Sequence, residues 1–144
     1  MRKKYIVTTL MVFALILPLL VPTTGQAEST GESPRFIATY FYTNIRCPSC
    51  ITIENLTEKT IKTSFKDQLD SGILAWRTIN IDGEGNFHFV KDYQLYTKSV
   101  IISENKDGKE IRWKNLPKVW ELLGEEKKFS KYLKEEITTF MAGP

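Results

Sequence analysis

The pattern of this chain changes abruptly at Cys47-Pro48-Ser49-Cys50, and that change constrains the fold more than any other feature. Before it, residues 36 to 43 (FIATYFYT) are aromatic and β-branched with no helical period, the signature of a buried strand. Asn44-Ile45-Arg46 turns the chain. From Cys50 to Leu69 the period is helical: Ile53, Ile61, Phe65 and Leu69 recur at spacings of four and eight, with Leu56 beside them. Glu54, Glu58, Lys59, Lys62, Lys66 and Asp67 cover the opposite side, and Ser71-Gly72 ends the helix.

The remaining segments complete the fold class. Residues 73 to 82 predict a second strand, and residues 86 to 96 a short helix. Residues 99 to 104 and 109 to 114 flank an Asp107-Gly108 turn and predict a β-hairpin. A short helix over 116 to 123 ends at Gly124. The last helix runs from Glu125 to Phe140 with Phe129, Leu133, Ile137 and Phe140 on one face. A strand, a crossover helix and a second strand imply a parallel pair, to which the hairpin adds antiparallel neighbours. The expectation is an α/β fold with a mixed four-stranded sheet and helices on both faces.

The N-terminus is excluded from that fold. Arg2, Lys3 and Lys4 precede an apolar run over residues 5 to 21, Pro22 breaks it, and Gly25-Gln26-Ala27 offers small residues for cleavage. Residues 1 to 27 therefore read as a secretory signal peptide, residues 28 to 35 as a flexible lead-in, and residues 36 to 144 as the domain. The alternative is an uncleaved anchor, because the run is near the lower length limit for a membrane span. The expected location is periplasmic or extracellular, with a membrane contact only if residues 5 to 21 remain. Without those three basic residues, 17 basic and 17 acidic residues are left. No net positive field remains to attract nucleic acid.

Both cysteines of the chain lie in the motif. A disulfide closing so short a loop constrains the unfolded chain little, which favours chemistry over a structural staple. A helix N-terminus offers free N–H groups and the positive end of the dipole to a thiolate at Cys47. Arg46 adds a positive charge beside it, and thiol pKa values in such settings fall to roughly 3.5–7.5. Cys47 is thus expected to be the nucleophile and Cys50, one turn on and more buried, the resolving thiol. Pro48 suits the first helical turn. A closed zinc site needs about four ligands. Two cysteines and His88, the one histidine, fall short of that number. No metal and no cofactor is expected, and His88 is expected to be partly buried on its helix.

The strand–CxxC–helix opening and the order of elements resemble the thioredoxin-like superfamily over residues 36 to 141. Three segments, Arg46-Cys47-Pro48-Ser49-Cys50, Val90-Lys91-Asp92-Tyr93 and Arg112-Trp113-Lys114-Asn115-Leu116, resemble more narrowly a group of exported thioredoxin-like proteins. That group is called the nitrophenyl-compound nitroreductase subunit ArsF family. Nothing in the chain resembles a flavin- or nicotinamide-binding site. The chain also departs from thioredoxin. Arg46 stands where the motif's tryptophan would be, and Pro48-Ser49 replaces Gly-Pro. Phe41 stands where the resemblance implies a buried acid, so Glu54 or water would have to move protons for the resolving thiol. Glu54 is otherwise expected to be solvent-exposed. Ser99 falls where the resemblance implies a cis-proline. A cis bond at Ser99 would cost about 2.5–4 kcal/mol, so a trans bond is expected. Thr97, Lys98 and Ser99 then form the substrate-facing loop.

Three functions follow from these expectations. The first is a thiol–disulfide oxidoreductase acting on an exported protein or a small-molecule disulfide. The second is a metal- or iron–sulfur-binding protein that shares two cysteine pairs across a dimer. The third is a non-catalytic redox subunit that relays electrons for a partner protein, with aromatics around Tyr96 and Trp113 as a docking face, although Trp113 fits core packing better.

Overall fold

A computed structural model describes residues 33 to 143. The signal segment and all but the last three residues of the lead-in lie outside them. The chain opens with β1 (Phe36–Tyr42), followed by α1 (Pro48–Ser64), α2 (Lys66–Asp70) and β2 (Leu74–Asn80). Then come α3 (His88–Asp92), the hairpin β3 (Ser99–Lys106) and β4 (Lys109–Asn115), a 3₁₀ turn at Pro117–Val119, and α4 (Glu126–Ala142). The sheet order is β2-β1-β3-β4. β1 and β2 are parallel, whereas β3 is antiparallel to both β1 and β4. This is the mixed four-stranded sheet of a thioredoxin-like fold.

Successive side chains of a strand face opposite sides, and β1 uses both. Phe36, Ala38 and Tyr40 join Val100 and Ile102 of β3 under α1 and α4, which supply Ile53, Ile61, Phe129, Leu133 and Ile137. Phe41 turns the other way, with Ile101 and Leu95, against Phe89 and Tyr93 of the α3 segment. A strand buried on both faces needs apolar residues at consecutive positions, which explains the unalternated FIATYFYT run. The hairpin turns through Asp107 at φ 53° and Gly108 at φ 75°. Two successive left-handed residues match the twist of the flanking strands, the reason for the Asp-Gly preference.

Several boundaries differ from the sequence expectation. The first helix starts at Pro48, which takes its first turn as expected, with Cys47 as the cap. It breaks at Phe65 (φ −129°, ψ 31°), and α2 follows as a separate turn. Periodicity cannot register this break, since Phe65 and Leu69 keep the four-residue spacing through it. β2 ends at Asn80, and α3 is five residues long where eleven were expected. The 116–123 segment holds only a 3₁₀ turn, while α4 carries its four expected residues buried. His88 is exposed rather than partly buried, with Nδ1 2.7 Å from Asp92 Oδ2 one turn along α3. Among the described residues, no helix is long and apolar enough to cross a membrane.

Candidate functional site

β1 delivers the chain to the cysteines through a short, tethered loop. The Asn44 N–H donates to Asp82 Oδ2 at 2.8 Å, and Asn80 Nδ2 donates to Asn44 Oδ1 at 2.7 Å. The loop is thereby fixed to the end of β2. Cys47 then adopts an extended conformation (φ −82°, ψ 158°) and serves as the N-cap of α1. Its Sγ accepts the Cys50 N–H at 3.2 Å. Pro48 takes the first helical position, where no N–H is required. Sulfur thus sits where Ser or Asp usually satisfies the orphan donors of a helix. The first turn of α1 holds no acidic residue to oppose negative charge there.

The two sulfurs lie at disulfide distance, 2.06 Å, with a Cα–Cα separation of 5.0 Å. They differ in access: Cys50 is completely buried, whereas Cys47 is partly exposed. Below Cys50, the Tyr40 hydroxyl donates to the Cys50 carbonyl at 2.9 Å. Burial pushes the Tyr40 phenol up to about 12, with Arg46 opposing the rise and Glu54 adding to it. Tyr40 therefore stays a neutral donor across the physiological range.

Arg46 and Glu54 are partners. The Arg46 guanidinium donates to the Glu54 carboxylate and lies over the Tyr42 ring, 4.3 Å from its centroid. Glu54 is not the freely solvated residue expected, because this contact leaves its side chain 21% exposed. The pair is not visible in the sequence pattern. Arg46 precedes the helix, so no helical spacing connects it to Glu54. Tyr40 gave no signal in the motif, whose implied acid position is Phe41, and the Phe41 ring packs on the α3 face of the sheet. Strand alternation, which sends neighbours to opposite faces, was the available signal.

The Thr97–Ser99 segment reaches the same end of the sheet, since Ser99 pairs with Phe41 near the end of β1. The Lys98–Ser99 bond is trans. Ser99 is buried and its hydroxyl donates to the Thr97 carbonyl at 2.8 Å. Trp120 Nε1 donates to the Lys98 carbonyl at 2.9 Å, and Thr97 stands exposed. Tyr96 is 95% exposed, whereas Trp113 packs edge-on to Tyr93 at 5.4 Å. Among the described residues, no group of three or more His, Cys, Asp or Glu side chains is placed to hold a metal ion.

No family model matches the chain, and no curated protein does. Among solved structures, a malarial protein is similar at 17% identity and a TM-score of 0.38, over 56% of this chain and 80% of that one. A Schistosoma mansoni thioredoxin pre-protein, in its reduced form, is similar at 14% identity and a TM-score of 0.37. That similarity spans 68% of this chain and 82% of the thioredoxin. The fold assignment rests on the element order and sheet order described above. The narrower resemblance to the ArsF group is carried by its three short motifs alone.

Proposed function

We propose that this chain is an exported thiol–disulfide oxidoreductase in which Cys47 is the nucleophile and Cys50 the resolving thiol. One observation carries the reading: a partly exposed sulfur caps a helix N-terminus at disulfide distance from a fully buried one. The exposed sulfur is the one a substrate can reach. In the reduced pair, the Cys47 thiolate attacks one sulfur of a substrate disulfide. A mixed disulfide forms and the other substrate sulfur leaves as a thiolate. Cys50, having lost its proton, then attacks Cys47 Sγ and expels the second substrate sulfur. Two electrons pass from the pair to the substrate. The two protons lost by the pair appear on the substrate thiols. The reverse sequence oxidises a dithiol substrate, and a dithiol or disulfide partner resets the pair.

Export is supported by the charged and apolar pattern of residues 1 to 27. The substrates that suit such a site are disulfides of exported proteins or small disulfides. Thr97, Lys98 and Ser99, at the same end of the sheet, are the substrate-facing loop in this reading.

The test is trapping. Cys50→Ala should accumulate a mixed disulfide on Cys47 when offered a glutathione disulfide or an oxidised model peptide, and Cys47→Ala should not. A Cys47 that stays unmodified at neutral pH would overturn the reading.

A further inference from the structure

The Arg46–Glu54 pair lies where it can regulate the cysteine pair. Resting on the thiol–disulfide reading above, we infer that Glu54 is a positioning residue that restrains Arg46 and so limits stabilisation of the Cys47 thiolate. Arg46 is the residue before Cys47. Its guanidinium is nevertheless committed elsewhere, to the Glu54 carboxylate at its tip and the Tyr42 ring along its face. Glu54 is held by the same helix that Cys47 caps, one turn beyond Cys50. The arginine therefore has two competing anions, a permanent carboxylate and a sulfur that is negative only when the pair is reduced and ionised. While Glu54 holds it, the net charge beside Cys47 is close to zero.

The environment makes this balance consequential. Arg46 and Glu54 side chains are 30% and 21% exposed, so water and salt screen them only in part. Other ionisable groups stand on the described elements around this pair. From β1 they are Tyr40, neutral in the physiological range, and Tyr42 under the guanidinium. From the loop at the same end of the sheet there is Lys98, whose carbonyl is fixed by Trp120. From the β2 end there is Asp82, engaged by the Asn44 N–H. Arg46 and Glu54 are the two of these that contact each other beside the motif.

The experiment uses the whole mature chain as wild type, Glu54→Gln, Arg46→Gln and the double variant. Two quantities are read for each: the thiolate absorbance of Cys47 against pH, and the thiol–disulfide equilibrium constant with glutathione. Freeing the arginine in Glu54→Gln should raise the thiolate fraction at a fixed acidic pH by roughly three- to tenfold. The equilibrium should shift toward the reduced form by a similar factor. Arg46→Gln should move both readouts the opposite way, and the double variant should return to within about twofold of wild type, since the net local charge is again zero. High salt should shrink the single-variant shifts. A structural role would move both single variants in the same direction. Reactive Cys47 with an unchanged titration in Glu54→Gln would overturn this inference and leave the oxidoreductase reading standing. A Cys47 that forms no mixed disulfide in any of the four proteins would overturn both.

Discussion

Glu104 shows what one buried carboxylate does for this fold. It is 7% exposed and lies between two arginines, Arg35 from the start of β1 and Arg112 from β4. Arg112 also donates to the Phe140 carbonyl and stacks on its ring at 4.0 Å, so the cluster joins β3, β4 and the end of α4. The hydrogen bonds from Arg35, and then those from Arg112, hold the Glu104 carboxyl below the usual carboxylate range despite its burial. A depressed carboxyl stabilises the native state above the unfolded-chain value, about 4.3 for Glu. That contribution disappears as pH falls through the lower folded value. Glu104→Gln should therefore cost about 2 kcal/mol at pH 7. Solvent screening reduces what the Arg35 contact adds to stability relative to its part in the shift, because the Arg35 side chain is 64% exposed. Urea denaturation at pH 7 and again below pH 4 checks this, with the two proteins converging in acid. An equal gap at both pH values would remove the charge from the account. Little of the cluster was legible beforehand. Arg35 falls in the polar lead-in, and charge partners 69 residues apart leave no local pattern.

At the scale of elements, the expected stripe of the first helix had a gap. Ile53 and Ile61 are eight residues apart, and the position between them is Thr57, which is completely buried. A threonine does not register in an apolar pattern, although the spacing places it on the core side. Its neighbour Thr60 bonds both the Leu56 carbonyl and Ser130 Oγ of α4. Among the described residues, the Thr57 hydroxyl has no partner. An unpaired buried hydroxyl costs about 1–3 kcal/mol, so replacing it by a methyl group removes a penalty and loses no bond. Thr57→Val should stabilise the domain by about 1 kcal/mol and raise its melting temperature by about 4–8 °C. A thermal melt showing a decrease would mean that the hydroxyl is satisfied in solution. The premature end of α3 was hidden for a related reason. Leu95 and Gln94 return their N–H groups to Val90 and Lys91, a helix stop that normally uses a left-handed glycine. Here the left-handed residue is Gln94 at φ 50°, so the usual stop signal is missing from the sequence. The stop at Gly72 and the turn at Gly108, by contrast, were legible because both positions hold glycine at positive φ.

For the whole molecule, the order of elements was legible because each change of period, from strand to helix and back, is sharply marked. The chemistry of the site depends on something less visible, how the native fold treats one sulfur relative to two. Folding and reduction form a thermodynamic cycle. The stability difference between reduced and oxidised protein equals the difference in reduction free energy between the folded and unfolded pair. A disulfide closing so short a loop restrains the unfolded chain little, so that difference reports mainly on the native site. In this fold Cys47 Sγ caps α1, a 17-residue helix with no acid in its first turn. A thiolate is a stronger acceptor there than a disulfide sulfur and is favoured by the helix dipole. The reduced protein should consequently be at least as stable as the oxidised one at pH 8. Its advantage should fall as pH drops through the titration of the folded Cys47 thiol, the sign required of an acid whose charged form the fold favours. Paired urea titrations, with and without a phosphine reductant across pH 5 to 8, measure it. Each 1.4 kcal/mol of advantage corresponds to about 30 mV toward a more oxidising pair. If reduction instead destabilises the fold by about 2–4 kcal/mol at every pH, the bridge is a structural staple. The oxidoreductase reading would then lose its physical basis, because a sulfur that the native state holds only as a disulfide has no favoured thiolate to attack with.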